Sequence, residues 1–352
     1  SKNRMAGSGE EHLPPLLTLC SQFPQTCRIL VVGDGNLSYA LALASSGVFP
    51  ARNIVATSFE PLEELRRKYG AHLIDSTTAQ LMERGVTVRH GVDARNLQET
   101  LALGAETSFC TGFHRVVFNF PHPGGKSKIH LSRLLIKGFF HSARLLLVSD
   151  ELLGQDDAAV FLSLAKGQGG TSFEHASASR IRADHWQCVE MAAESKLILT
   201  MCLPWEDIQG YSSSGYKATK KGFKTEGALV HVFVRDDRAG DAGGPCSLCP
   251  PVYTHDISLW VLDEDVYDED GFKAELRKLV GDDKLMSIEL IDSFRLTPRD
   301  PSVATEATLS VCFRIQYQSR TKALASADAA ALQAKARGAL GTSVLPGAVV
   351  VR

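Results

Sequence analysis

No run of residues in this 352-residue sequence is long and apolar enough to cross a bilayer, and the opening stretch SKNRMAGSGEEHLPP lacks the apolar centre of a signal peptide. A membrane is therefore not expected among the partners, and the opening reads as a lead-in; a transit peptide removed ahead of Ser1 stays compatible with it. One-sided charge is missing too, with 38 Lys and Arg against 40 Asp and Glu. Net charge neither supports nor excludes a nucleic acid, so any such partner must be met by local basic patches. The eight cysteines are scattered, several within apolar runs, so no disulfide framework is expected. Reduced thiols suit a cytosolic, nuclear or mitochondrial compartment. Only Cys246 and Cys249 have metal-ligand spacing, no second pair completes a set of four, and no metal is expected. Internal repeats are absent as well.

What is present is alternation. RILVVG (28–33), NIVATSFE (53–60), VTVRHGVD (86–93) and HRVVFNF (114–120) read as strands, separated by helical patterns at 36–47 and, with a break near Gly70, at 61–85. Strands alternating with helices predict right-handed crossovers and a parallel α/β sheet. AAVFLSLA (158–165) is preferred over RLLLVS as the fifth strand, and HWQCVEMAAES as the next helix. KLILTMCL and GALVHVFVR then close a seven-stranded sheet as an antiparallel pair. That count differs from the six-stranded dinucleotide arrangement. DDRAGDAGGPCSLCPP, rich in Gly, Asp and Pro, is the natural joint, leaving 27–235 and 251–352 as domains linked by 236–250. The second domain reads strand (253–261), helix (270–281), strand (285–296), strand (308–318), helix (326–340), strand (344–351), the ferredoxin-like α+β order.

In VVGDGNLSYALALA, Gly33 and Gly35 stand between a strand and a helix start, where glycine permits tight turning and close approach of a ligand. Asn36 or Ser38 is placed to cap that helix, whose free N–H groups favour an anionic group. Ser38 occupies the position of the third glycine of the dinucleotide fingerprint, which argues against NAD. Glu60 and Asp93 are placed at the ends of the second and third strands, suited to ribose hydroxyls and an adenine amino group. Three carboxylates at successive strand ends, Asp34, Glu60 and Asp93, with no Lys or Arg in the glycine loop, suit a positively charged nucleoside such as S-adenosylmethionine better than a phosphate cofactor. A tight turn without any ligand is the alternative.

VVFNFPHPGGKSK (116–128) places Asn119, Phe120 and His122 where the fourth strand leaves the sheet. Asn119 and the carbonyl before Pro121 are read as acceptors for a planar amine or imide, Phe120 as a ring that stacks on a base, and His122 as a base that takes a proton. The plainer reading puts Phe120 in the core and His122 in a turn. Lys126, Lys128 and Arg133 form either a solvated helix start or a phosphate-tracking patch. GYKATKKGFKTEG (215–227) adds Lys217, Lys220 and Lys221, with Tyr211, Tyr216 and Phe223 interleaved, as single-stranded RNA binding requires; a plain basic loop is the alternative.

Taken together and in order, ILVVGDGNLSYALALA, ATSFEP, GVDARNL, RVVFNFPHPGGKSK, LLIKGFFHSARLLL and SGYKATKKGF resemble the 25S rRNA uridine-N3 methyltransferase-like domain, with that family's Phe-Asn-Phe-Pro-His motif complete at Phe118–His122. PPVYTHDISLWV, ELIDSF, SVCFRIQYQS and LQAKARGAL resemble the ferredoxin-fold anticodon-binding domain that ends phenylalanyl-tRNA synthetases. The resemblance implies a Rossmann-like class I methyltransferase sheet followed by a ferredoxin-like domain. It implies S-adenosylmethionine held by Gly33, Asp34, Gly35, Asn36, Ser38, Glu60 and Asp93, and Asn119–His122 at the target base. It also implies a ribosomal or transfer RNA partner, or a ribosome assembly intermediate, and no DNA. The family's first loop often carries glutamate where this chain has Asp34, which preserves the carboxylate. The joint is too short for a synthetase segment, so aminoacylation is not expected. On the second domain's sheet, Arg314 and Tyr317 are the candidates for touching nucleotides, with core packing the alternative for Tyr317. A second reading of the whole is an RNA-binding assembly factor that keeps the fold without turnover.

Overall fold

The computed structural model describes residues 25–101, 112–125, 128–149, 158–213, 225–237, 244–295, 308–340 and 342–352. Lys126, Lys217, Lys220, Lys221, Tyr216 and Phe223 lie outside them.

The first half builds β1 (Ile29–Val32), α1 (Ser38–Ser45), β2 (Ile54–Thr57), α2 (Leu62–Tyr69), α3 (Ala71–Glu83), β3 (Thr87–Arg89), α4 (Leu97–Thr100), β4 (Arg115–Asn119), α5 (Ile129–Leu146), β5 (Ala159–Leu164), α6 (Cys188–Ala193), β6 (Leu197–Pro204) and β7 (Leu229–Arg235). β1, β2 and β5 are buried at every position, as strands covered on both faces must be, which is why they are continuous apolar runs rather than alternations. α2 has Glu63 and Glu64 in its first turn and Arg66, Arg67 and Lys68 in its last, complementing the helix dipole. Gly70, at φ 96°, breaks α2 from α3. α5 presses Ile136, Phe139, Phe140 and Ala143 inward, with Phe139 edge-on to Phe118 at 4.9 Å and Phe140 edge-on to Phe233 at 4.7 Å. RLLLVS supplies the end of α5 and one isolated bridge, Leu147 to Phe113, so the fifth strand is the one expected.

The sheet order is β3-β2-β1-β4-β5-β7-β6. β1 pairs in parallel with β2 and β4, β4 with β5, and β7 runs antiparallel to β5. The order reverses at β1, which opens a crevice beyond the carboxyl ends of β1 and β4. β2 and β3 stop short of their expected ends, so Glu60 and Asp93 stand in the turns that follow, not on strands. There the backbone pairs loosely, through Val92 N–H to Ser58 carbonyl and Gly91 N–H to Glu60 carbonyl.

The second half builds β8 (Tyr253–Val261), α7 (Glu269–Val280), β9 (Leu285–Arg295), β10 (Leu309–Tyr317), α8 (Ser326–Ala339) and β11 (Val349–Val351). Its antiparallel sheet has the order β11-β8-β10-β9, the ferredoxin-like plan. Ile257, Leu259, Phe272, Leu276, Phe313 and Ile315 form its core. Tyr317 belongs to that core, fully buried with its hydroxyl donating to Gln333 Oε1 at 2.8 Å, so it offers no surface to a nucleotide. Strand alternation sends Arg314 to the open face, where it forms a two-point ion pair with Asp256 on β8. By contact density the chain divides into two compact units, the first running through Cys188 and resuming over Met201–Val234, the second taking Val189–Thr200 and Arg235–Arg352. Cys246 and Cys249 are not joined in a disulfide, and no cluster of three metal-ligating side chains occurs among the described residues. No helix among the described residues is long and apolar enough to cross a membrane.

Candidate active site

One crevice of about 350 Å³, within the size range of small-molecule sites, gathers Gly33, Asp34, Gly35, Asn36, Glu60, Asp93, Asn119, Phe120 and His122 along its lining. Residues up to about ninety positions apart meet there because four turns leave the same edge of the sheet.

The glycine loop is tight for reasons of packing as well as approach. Gly33 adopts φ 66°, and a Cβ there would lie 2.7 Å from the Phe118 ring; a Cβ on Gly35 would lie 2.5 Å from the Tyr69 hydroxyl. Asp34, expected to face a ligand, turns its carboxylate to the start of α1 instead, where Oδ2 accepts the Ala40 N–H at 2.7 Å. Burial pushes its carboxyl up to about 7, against the backbone N–H groups of Ala40, Tyr39 and Leu37 that pull it down. Asp34 therefore shares the capping expected of Asn36 or Ser38, for Asn36 Oδ1 accepts the Ser38 N–H at 3.2 Å. Those two hold a neighbouring segment: Asn36 Nδ2 donates to the Ser212 carbonyl at 3.1 Å, and Ser38 Oγ lies 2.9 Å from the same oxygen and 2.8 Å from Asn36 Oδ1. The segment so pinned carries Trp205 and Tyr211, which pack with Tyr39 into an aromatic wall.

Glu60 and Asp93 reach the crevice already paired. Lys68 from α2 contacts Glu60 Oε1 at 2.5 Å, and, against the lowering effect of burial, that carboxylate holds the ammonium above its ordinary value. Arg95 grips Asp93 with Nη2 at 2.6 Å and Nε at 3.0 Å, holding that carboxyl below the usual carboxylate range. Any ligand hydroxyl or amine at either site shares its acceptor with a cation. Lys68, Tyr69 and Arg95 were not singled out from sequence. The spacing of Arg95 two residues after Asp93 was the one available signal; Lys68 and Tyr69 reach the site only through the packing of α2.

At the end of β4, Asn119 Oδ1 lies 2.7 Å from Ser163 Oγ, and its Nδ2 is buried without a partner among the described residues. Phe120, at φ 48° and 6% exposed, packs edge-on against Trp205 at 4.8 Å. It is a packed wall residue that also lines the crevice. His122 Nδ1 accepts the Gly124 N–H at 2.9 Å, which commits that lone pair and leaves the proton on Nε2. Burial and the nearby Lys68 charge push its pKa down, so the ring is neutral near pH 7. In this geometry it is a donor, not the proton acceptor expected. Lys128 is exposed at the start of α5, whereas Arg133 is spent on the backbone carbonyls of Arg182, Ala183 and His185. Phe59, 59% exposed, also lines the crevice and was not foreseen.

A seven-stranded sheet with β7 antiparallel to β5 and a carboxylate-lined crevice at the β1–β4 switch point is the architecture of Rossmann-like methyltransferases. Residues 30–215 match the BMT5-like family, described as rRNA (uridine-N3-)-methyltransferase BTM5-like, and the chain belongs to that family. It is thereby a member of an S-adenosylmethionine-dependent RNA methyltransferase family. The ferredoxin-fold anticodon-binding domain-containing protein 1 of Homo sapiens and its Mus musculus homolog are each 34% identical over 210 residues, 59% of this chain. The aligned part is 31% of either relative, so the chain spans about a third of their length. Among solved structures, TrmN from Thermus thermophilus is similar at 15% identity with a TM-score of 0.36, covering 62% of this chain and 47% of that one, a likeness too distant to add to the fold described above.

Proposed function

We propose that the chain methylates N3 of a uridine in ribosomal RNA, using S-adenosylmethionine. The observation that carries this is the coincidence of the family match over residues 30–215 with a crevice that holds the Phe118–His122 motif at its floor. The residues present fit the cofactor: a glycine loop that admits close backbone approach and carboxylates at the two flanking turns. Gly33, Gly35 and Asn36 would border its amino-acid portion, Glu60 its ribose and Asp93 its base. When bound, the cofactor supplies an electrophilic methyl carbon. The chain's own part is placement. Asn119 and the wall of Phe120, Trp205 and Tyr211 define where a flat base can lie. His122 offers a hydrogen bond from Nε2, so the N3 proton leaves to solvent and not to this ring. The ferredoxin-like unit raises the local concentration of RNA, and a substrate of this kind places the protein in the nucleolus or cytoplasm.

The test is direct. Full chain, S-adenosylmethionine and an unmodified ribosomal RNA transcript are incubated, and the digested nucleosides are analysed by mass spectrometry; 3-methyluridine is expected. A second reading, an assembly factor without turnover, is favoured by one observation, that Glu60 and Asp93 are both occupied by cations. Calorimetric titration with S-adenosylmethionine separates the two, because the second reading requires no heat of binding.

A further inference from the structure

We propose that Ser163 is a positioning residue that turns the Asn119 amide so that its NH₂ end, not its oxygen, meets the target base, making Asn119 a reader of a carbonyl. The inference rests on the uridine reading above and says how that base is told from one bearing an amine.

Asn119 closes β4 and stands in register with Ser163 on β5. Ser163 is 1% exposed, and its hydroxyl has one proton to place. Among the described residues the acceptor is Asn119 Oδ1, 2.7 Å away. Were the amide turned over, that hydroxyl proton would be left in the core with no acceptor, and the amide oxygen would lose its partner too. The observed orientation leaves only Nδ2 without one. The strand end cannot swing to relieve this, because the Phe120 N–H is bound to the Ser163 carbonyl at 2.9 Å and Pro121 follows. Nδ2 is thus a buried donor without an acceptor among the described residues, on a side chain that lines the crevice.

An exocyclic amine cannot satisfy a donor; a ring carbonyl can. Uracil presents carbonyls on both sides of N3, whereas cytosine replaces one with an amino group. A donor left unmade in a desolvated site is costly, and sites built to hydrogen-bond one group reject analogues that lack it.

The test measures binding and so does not depend on turnover. Fluorescent oligouridylate and oligocytidylate are titrated into the full chain in the presence of S-adenosylhomocysteine, with fluorescence anisotropy as the readout. Wild type is expected to prefer uridine by about 10- to 100-fold. Asn119→Asp, which puts an acceptor where the donor was, should abolish or invert the preference. Ser163→Ala frees the amide and should bring the ratio to within about twofold, while Ser163→Thr keeps the hydroxyl and should keep the ratio. Retained S-adenosylhomocysteine affinity shows that each variant is folded. Absence of a preference in wild type, including failure to bind either oligonucleotide, overturns the proposal, as does a wild-type ratio in Asn119→Asp or Ser163→Ala. Methyl transfer, measured on the same protein preparations with S-adenosylmethionine in place of S-adenosylhomocysteine, fails independently: preference without transfer removes the enzymatic reading alone, and transfer without preference removes the carbonyl reader alone.

Discussion

Gly33 is held at φ 66° with the Phe118 ring against the space a side chain would need. Gly33→Ala combines backbone strain with that clash and should cost about 1–3 kcal/mol, read as a lower urea midpoint with unchanged slope. Asp34 makes a prediction about pH. Its folded pKa, raised to about 7, exceeds the ordinary carboxylate value of 3.8, so the fold binds this proton more tightly than the unfolded chain does. The stability it contributes is complete below the unfolded pKa and is lost as pH rises towards 7. Asp34→Asn keeps an acceptor for the Ala40 N–H and removes the charge. The variant should match wild type near pH 4 and exceed it by a few kcal/mol above pH 7, measured by denaturant titration across that range. A constant difference at every pH would mean that Asp34 is ionised throughout.

At the scale of elements, the crevice depends on how the segment after β6 is tied down. The Ser212 carbonyl takes its hydrogen bonds from Asn36 and Ser38, so one side chain from the glycine loop fastens one side of the wall. Asn36→Ala should loosen residues 205–213 by about 1–2 kcal/mol, seen as faster amide exchange there with β1, β4 and β5 unchanged. α2 acts in the opposite sense. Its last turn delivers Lys68 and Tyr69 into the crevice, which is why Glu60 is neutralised before any ligand arrives.

At the scale of the whole molecule, two compact units have separate cores. Phe313 is fully buried in the second, against Phe272 at 4.7 Å. Phe313→Ala should cost about 3–5 kcal/mol within that unit, lowering its transition in scanning calorimetry, while S-adenosylmethionine affinity stays at the wild-type value. Loss of both would show that the units do not fold separately.

Sequence alone determined the order of strands and helices in both halves apart from the short α4, because continuous apolar runs, helical spacing and glycine breaks are local signals that tertiary contacts reinforced. It also brought Asp34, Glu60, Asp93 and Asn119 to one edge, since residues that follow successive parallel strands must emerge together. Only the tertiary structure decided what those groups face. Asp34 turns to its own helix, Glu60 and Asp93 are taken by Lys68 and Arg95, Phe120 is sealed by Trp205, and Tyr317 joins the core. The orientation of the Asn119 amide was set by a serine forty-four residues away. Hydrogen bonds and packing between distant segments leave no periodicity in the chain, so the partner of a polar group is a property of the fold.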